Sequence, residues 1–135
     1  MRHLLDSNIL LRYLTNDHPK LAVRCEALLE KIVKGKEDVL LTPLVIAEVV
    51  WVLESQYDYP REKISELVLK LIHTPHIEVP DKDILTGAFA LWHRDRFEAD
   101  FIDVYHAAWI EAKGLKGVYS YDRDFDRLAI PRFEP

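Results

Sequence analysis

The sequence contains little cysteine and little glycine. Its 135 residues include one cysteine, Cys25, which excludes an internal disulfide framework and any cysteine-based zinc site. A reducing cytosol, and therefore a cytoplasmic location, is the expected setting. The four glycines form neither a Gly/Ser linker nor a glycine-rich phosphate loop, so nucleotide-driven chemistry is disfavoured. A single domain over residues 1–135 is the simplest organisation.

Long apolar runs and an excess of positive charge are also missing. No run approaches the roughly 20 apolar residues that a membrane span needs, and the first residues reach Asp6 too soon for a signal peptide or an anchor. Lys and Arg number 18 against 23 Asp and Glu, for a formal charge of −5. This excess of negative charge disfavours a protein that coats nucleic acid through phosphate contacts. It allows an enzyme that contacts phosphate through a bound metal.

The apolar residues, 49% of the chain, alternate between strand and helix patterns. Strands are expected at residues 2–6, 38–42, 77–79 and 117–121. Helices are expected at 8–15, 19–34, 43–57, from 60 onward, 81–96 and 100–113, with a helical turn after 122. Repeated strand–helix units of this kind predict an α/β fold, with a parallel sheet of about four to five strands covered by helices on both faces.

Four acidic residues interrupt or end apolar runs: Asp6, Glu48, Asp103 and Asp122. Carboxylates are rarely buried singly, so their placement suggests one shared site rather than four unrelated surface charges. Asp6 and Asp122 follow strands, where open parallel sheets place their sites. Asp103 lies in the first turn of a helix, where the backbone dipole stabilises an anion. Such a cluster predicts binding of a hard divalent cation.

Each acid also has a structural explanation. Asp6 is a residue type that commonly caps the N-terminus of a helix. Asp103 is an ordinary charge in the first turn of its helix if Asp100 is the cap. For the last acid, spacing does not distinguish Asp122 from Asp124 or Asp126.

Glu48 is the least ordinary of the four. Its neighbours three and four positions away, Leu44, Val45, Trp51 and Val52, are all apolar, which predicts that it faces a cavity, a partner or an ion.

Four segments carry a resemblance to a known family: LLDSNILLRYL, TPLVIAEVVWVL, DFIDVYHAAWIEAKG and VYSYDRDFDRL. In this order and spacing they resemble the PIN-domain ribonucleases, most closely the VapC-type toxins of prokaryotic toxin–antitoxin pairs. The first acid of the family pattern falls on Asp6, in Asp-Ser-Asn, and the helical glutamate falls on Glu48. The third falls on Asp103, before an alanine-rich helix, and the fourth on Asp122.

The resemblance implies a metal-dependent endoribonuclease in which these four acids are catalytic. Mg²⁺ or Mn²⁺ would bind mainly through Asp6 and Asp103, with Asp122 and Glu48 holding further ligands, waters or a second ion. Glu48 is the expected group to position or deprotonate the attacking water. Among nearby carboxylates without metal, at least one should have a raised pKa. The implied partners are an RNA substrate, a small VapB-like antitoxin and a second copy in a homodimer.

Two other hypotheses about the function remain open. One is the same nuclease chemistry in RNA processing or turnover without an antitoxin, and the other is a catalytically idle scaffold that binds a partner. An aspartate-based phosphatase is disfavoured because position 8 is Asn, which removes its Asp-x-Asp start.

Several further residues have possible roles at the site, each against a structural default. Ser7 and Ser120 are expected to orient carboxylates or water. His106 could contact the site, with a packed histidine as the default. Solvated charges are the default for four arginines that are candidate contacts of RNA phosphates: Arg12, Arg94, Arg96 and Arg123. Core or dimer contacts are the default for Trp51, Trp92 and Trp109.

Overall fold

The computed structural model describes residues 2–94 and 99–135, and shows an α/β protein. Seven helices are found in this part of the chain: α1 Ser7–Thr15, α2 Pro19–Val33, α3 Pro43–Ser55, α4 Arg61–Ile72, α5 Lys82–Arg94, α6 Phe101–Lys113 and α7 Asp124–Arg127. Five short strands accompany them: β1 His3–Leu4, β2 Val39–Leu40, β3 Ile77–Glu78, β4 Val118–Tyr119 and β5 Arg132–Phe133. The predicted α/β class with parallel strands is confirmed.

The strands fall into two sheets, whereas the sequence predicted one. β2 lies between β1 and β3 in a parallel three-stranded sheet, and β4 pairs in parallel with β5. β5 was not predicted, because Arg132 and Phe133 lie between Pro131 and Pro135 and belong to no apolar run. The chain forms two compact units, one up to Pro80 and one over Asp81–Pro135. The prediction of a single domain over 1–135 stays a prediction.

In the first unit, local signals determine where the helices begin. The Thr42 hydroxyl accepts a hydrogen bond from the Val45 amide at 3.3 Å, and Pro43 occupies the first position of α3. α1 packs against α2 and α3, and α3 packs against α4. Large apolar side chains on these elements are fully buried, including Leu10, Ile32, Ile46, Leu53, Ile64 and Ile72.

In the second unit, α5 packs against α6 through an aromatic cluster. Phe89 stacks on Phe101 with ring centroids 4.6 Å apart, and Trp92 meets Phe101 edge-on at 5.6 Å. Trp92 is therefore a core residue. α6 ends where Gly114 adopts the left-handed conformation, as the sequence predicted. The part of the predicted 81–96 helix beyond Arg94 lies outside the described residues.

A second apolar cluster of this unit holds α6 next to β4 and α7. It consists of Ala107, Ile110, Phe125 and Ile130, with Val118 and Leu128 packed on it. This packing brings the first turn of α6 and the segment after β4 into the same region. None of the helices in the described part of the chain has the length and apolar character needed to cross a bilayer.

Candidate metal centre

Three carboxylates converge in the second unit. Asp103, Asp122 and Asp124 each present an oxygen, and the three oxygens lie within 4.8 Å of one another. Asp103 comes from the first turn of α6, whereas Asp122 and Asp124 come from the segment between β4 and α7. Of the three acids that spacing did not distinguish, two therefore belong to the cluster.

Local hydrogen bonds order the segment after β4. The Asp122 amide donates to the Ser120 hydroxyl at 2.9 Å, and the Asp124 amide donates to Asp122 Oδ1 at 2.9 Å. Both bonds are the short side-chain-to-backbone type that Ser and Asp form in turns. Ser120 thus orients the backbone of this segment, and Asp122 keeps its other oxygen free of this bond.

Asp126 is excluded from the cluster by an ion pair. Arg132 Nε lies 3.1 Å from Asp126 Oδ1, and the same guanidinium contacts Glu134. A carboxylate neutralised in this way is a poor ligand for a cation, because the guanidinium already balances its charge. Asp124 has a weaker competitor, since Arg127 lies 3.8 Å away.

Burial and neighbouring charges both act on the Asp103 carboxylate. Its pKa is raised, first because the half-buried side chain loses water, and then because of the nearby charges of Asp122, Asp100 and Asp124. His106 acts in the opposite direction and lowers this pKa. The raised pKa that was expected of one clustered carboxylate is therefore found on Asp103.

These residues fit a hard divalent cation. All three donors are carboxylate oxygens, the ligand type that Mg²⁺ and Mn²⁺ prefer. Asp103 supplies a partly desolvated anion whose repulsion by its neighbours a cation would relieve. Three protein ligands are fewer than the six that octahedral Mg²⁺ takes, and Mg²⁺ usually keeps several waters.

Asp6 lies in the first unit, where it caps α1. Its backbone is extended, and its Oδ2 accepts a hydrogen bond from the Asn8 amide at 3.5 Å. The capping explanation is therefore correct, although this long bond occupies only one of the two carboxylate oxygens. Asp6 is exposed, whereas the next residue, Ser7, is buried.

Glu48 also lies in the first unit, but its surroundings differ from those expected. Its side chain is exposed on α3, next to Leu44 and Trp51, which are themselves 79% and 62% exposed. Of the four apolar neighbours that led to this expectation, only Val45 is buried. Apolar neighbours on a helix do not imply burial, because the buried face of α3 is formed by a different set: Val45, Ile46, Val49, Val50 and Leu53.

The remaining candidates divide into structural and exposed residues. Arg12 makes two 2.9 Å hydrogen bonds to the Asp17 carboxylate, and Arg94 Nε donates to the Ala90 carbonyl. His106 is exposed rather than packed, so its expected default is wrong.

Two tryptophans and two arginines complete this set, and of these Arg123 is exposed. Trp109 Nε1 donates to the Tyr105 hydroxyl at 2.9 Å, which indicates a structural role. Trp51 is exposed. Arg96 lies outside the described residues.

The family model described as PIN domain matches residues 3–131. The chain therefore belongs to the PIN-domain family.

Within that family, the chain is similar to the VapC ribonuclease of Aquifex aeolicus (strain VF5). The two are 27% identical over 132 residues, covering 98% of this chain and 96% of the relative. Among solved structures, it aligns with VapC20 of Mycobacterium tuberculosis, a sarcin-ricin loop cleaving toxin. That alignment has a TM-score of 0.41 and 16% identity, and covers 98% of this chain and 99% of the other.

Proposed function

We propose that this protein is a metal-dependent endoribonuclease and the toxin of a VapBC-type pair. The observation that supports it most directly is the cluster of Asp103, Asp122 and Asp124 in a chain of the PIN-domain family. Arg127 lies 3.8 Å from Asp124, and the three converging carboxylates still suit a cation that also attracts phosphate.

Each acid has a proposed role in phosphodiester hydrolysis. Asp103 and Asp122 hold Mg²⁺ or Mn²⁺, with Asp124 beside them. On the family pattern alone, Asp6 is proposed as a further ligand and Glu48 as the group that positions or deprotonates the attacking water. When bound, the ion neutralises charge that develops on the scissile phosphate and lowers the pKa of water.

The reaction balances without any other co-reactant. A water oxygen forms a bond to phosphorus while one ester P–O bond breaks. The proton that the water loses passes to Glu48, and the leaving ribose oxygen gains a proton. The exposed position of Glu48 suits exchange of that proton with solvent.

The proposed protein partners follow from charge and exposed apolar surface. A small VapB-like antitoxin would place a basic side chain against the carboxylate cluster, because the cluster attracts any cation of suitable size. A second copy of the chain would cover Leu44 and Trp51 on α3. A cytoplasmic location is proposed because Cys25 is a free, buried thiol.

Cleavage of RNA with and without metal tests the proposal. Purified protein is incubated with total cellular RNA in Mg²⁺, Mn²⁺ or EDTA, and cut ends are mapped by sequencing. We expect discrete cuts only with metal. Asp103→Asn should reduce their rate by at least about 100-fold, since loss of even an outer partner of a metal costs roughly 10- to 100-fold.

Glu111→Gln is the matched control for this experiment. It removes one carboxylate charge from the same helix, eight residues and roughly 12 Å along the axis from Asp103. The control should cut RNA at the wild-type rate. Equal cleavage by Asp103→Asn, or full activity in EDTA, would exclude metal-dependent catalysis at this cluster.

A further inference from the structure

Three aromatic side chains are exposed on the β4–β5 sheet or just after β4. Tyr119 and Phe133 are register partners on the two strands, with ring centroids 6.1 Å apart. Tyr119 is 79% exposed and Phe133 is 37% exposed. Tyr121, two residues further along the chain, is 72% exposed. Below, these three residues are called the aromatic surface.

The strand alternation explains why these rings face solvent. Successive side chains of a strand point to opposite faces, so Val118 and Tyr119 cannot both face the core. Val118 packs on the apolar cluster under α6, which directs Tyr119 outward. Large aromatic side chains that lie together in water commonly mark an interaction site, whereas isolated ones need no explanation.

Positive charge accompanies the rings. Lys116 Nζ lies 5.3 Å from the centroid of the Phe133 ring. Within residues 2–94 and 99–135, neither Lys116 nor Arg123 forms an ion pair with a carboxylate, whereas Arg132 is paired with Asp126 and Glu134. The aromatic surface therefore combines exposed aromatic rings with cations that remain able to bind an anion.

The aromatic surface is continuous with the carboxylate cluster along the chain. Tyr121 directly precedes Asp122, so their Cα atoms are about 3.8 Å apart. The Ser120 hydroxyl, between the two tyrosines, accepts the hydrogen bond from the Asp122 amide. A polymer that places a phosphate at the cluster would thus have its neighbouring units within reach of Tyr121 and Tyr119.

We propose that Tyr119, Tyr121 and Phe133 stack against unpaired bases of single-stranded RNA next to the phosphate that is cleaved. Unpaired bases fit because stacking uses the π face that every base has, while Lys116 and Arg123 meet the phosphates. The part of this inference that concerns cleavage rests on the proposed nuclease function, whereas the part that concerns binding does not.

RNA binding without cleavage tests the stacking directly. A fluorescein-labelled single-stranded oligoribonucleotide of mixed sequence is titrated in EDTA, and its anisotropy is measured. All variants carry Asp103→Asn so that no cleavage occurs. Adding Tyr119→Ala or Tyr121→Ala should weaken binding by roughly 5- to 150-fold, the range reported by alanine substitution at stacked bases.

Two control variants separate stacking from general surface effects. Tyr119→Phe keeps the ring and should bind as tightly as the parent. Leu115→Ala removes an exposed apolar side chain of the same unit without removing a ring, and should also bind normally. A fully paired RNA duplex, whose bases are not available for stacking, should bind the tyrosine variants and the parent equally.

The outcomes distinguish this inference from the proposed function. If the alanine variants bind single strands as tightly as Tyr119→Phe does, the stacking proposal is wrong, even if the protein cleaves RNA. If binding depends on the tyrosines but no RNA is cut in Mg²⁺ or Mn²⁺, the stacking proposal stands and the nuclease proposal fails. If Tyr119→Ala instead lowers the mass in sedimentation, the surface serves self-association and stacking is excluded.

Discussion

At the scale of single residues, Asp103 combines a proposed metal-binding role with a cost in stability. Burial and three neighbouring carboxylates raise its pKa in the folded protein, so the folded state holds that proton more tightly than the unfolded chain does. Ionising Asp103 therefore opposes folding. The stabilising effect of its proton is fully present below the ordinary aspartate range, near pH 4, and is lost as the pH rises through the raised pKa.

The Asp103→Asn variant should be more stable than the wild type at pH 7 when metal is absent. The amide keeps the size of the side chain but removes the charge that its neighbours repel. Thermal unfolding in EDTA at several pH values measures this: the gain in melting temperature should be present at pH 7 and should vanish toward pH 3.

Added Mg²⁺ should reverse the order of stability of the wild type and Asp103→Asn. A cation that binds only the folded protein stabilises it by mass action, and this requires the charged carboxylate. Magnesium should raise the melting temperature of the wild type and of Glu111→Gln more than that of Asp103→Asn. A variant that is destabilised in EDTA at pH 7 would show that Asp103 is held by favourable interactions instead.

At the scale of elements, the pairing of β4 with β5 depends on Gly117. A Cβ atom placed there would lie 2.2 Å from the carbonyl oxygen of Pro131 and 2.9 Å from the Phe133 ring, and the backbone φ is +154°. The Val118 amide donates to the same Pro131 carbonyl. Only glycine allows the two strands to approach this closely at this point.

Gly117→Ala should destabilise the protein by about 1–3 kcal/mol, the usual cost of forcing an extra group into packed structure. Urea unfolding followed by circular dichroism measures the change. The same substitution should weaken single-stranded RNA binding, because it displaces the strand that carries Tyr119.

Gly87→Ala is the matched control. Gly87 is exposed within α5, and an added Cβ there meets no atom within 4 Å. Alanine in a helix interior is favoured over glycine by roughly 1 kcal/mol, so this variant should be more stable than the wild type. If both alanine variants change stability in the same direction, the close approach at Gly117 is not the cause.

At the scale of the whole molecule, α3 leaves apolar surface in water. Leu44 and Trp51 lie on the exposed face of this helix on either side of Glu48, and large exposed apolar residues are costly to leave uncovered. A proposed homodimer would cover them.

Trp51→Glu should weaken the dimer by at least about 30-fold, because buried tryptophans at interfaces commonly contribute 2 kcal/mol or more. Sedimentation equilibrium over a range of protein concentrations measures the dissociation constant. Val23→Glu, which adds the same charge at an exposed apolar position of α2, is the control and should leave it unchanged. A wild-type protein that is monomeric at all concentrations would exclude the dimer.

The sequence by itself determined the α/β class, most helix positions and the acids of interest. Helix starts such as Thr42-Pro43 and the end at Gly114 were predictable because a cap depends on hydrogen bonds between residues only a few positions apart. The resemblance to PIN-domain proteins likewise depended on short motifs, and the family match over residues 3–131 agrees with it.

Only the tertiary structure decided which acids meet and which apolar residues are buried. Asp122 and Asp124 join Asp103 because α6 and α7 share an apolar cluster, whereas Asp126 is held by Arg132. The apolar neighbours of Glu48 on α3 predicted that it faces a cavity, a partner or an ion, yet its side chain is exposed. Sequence spacing describes neighbours along one element. The distance between carboxylates on different elements, and the water that reaches each side chain, depend on how those elements pack.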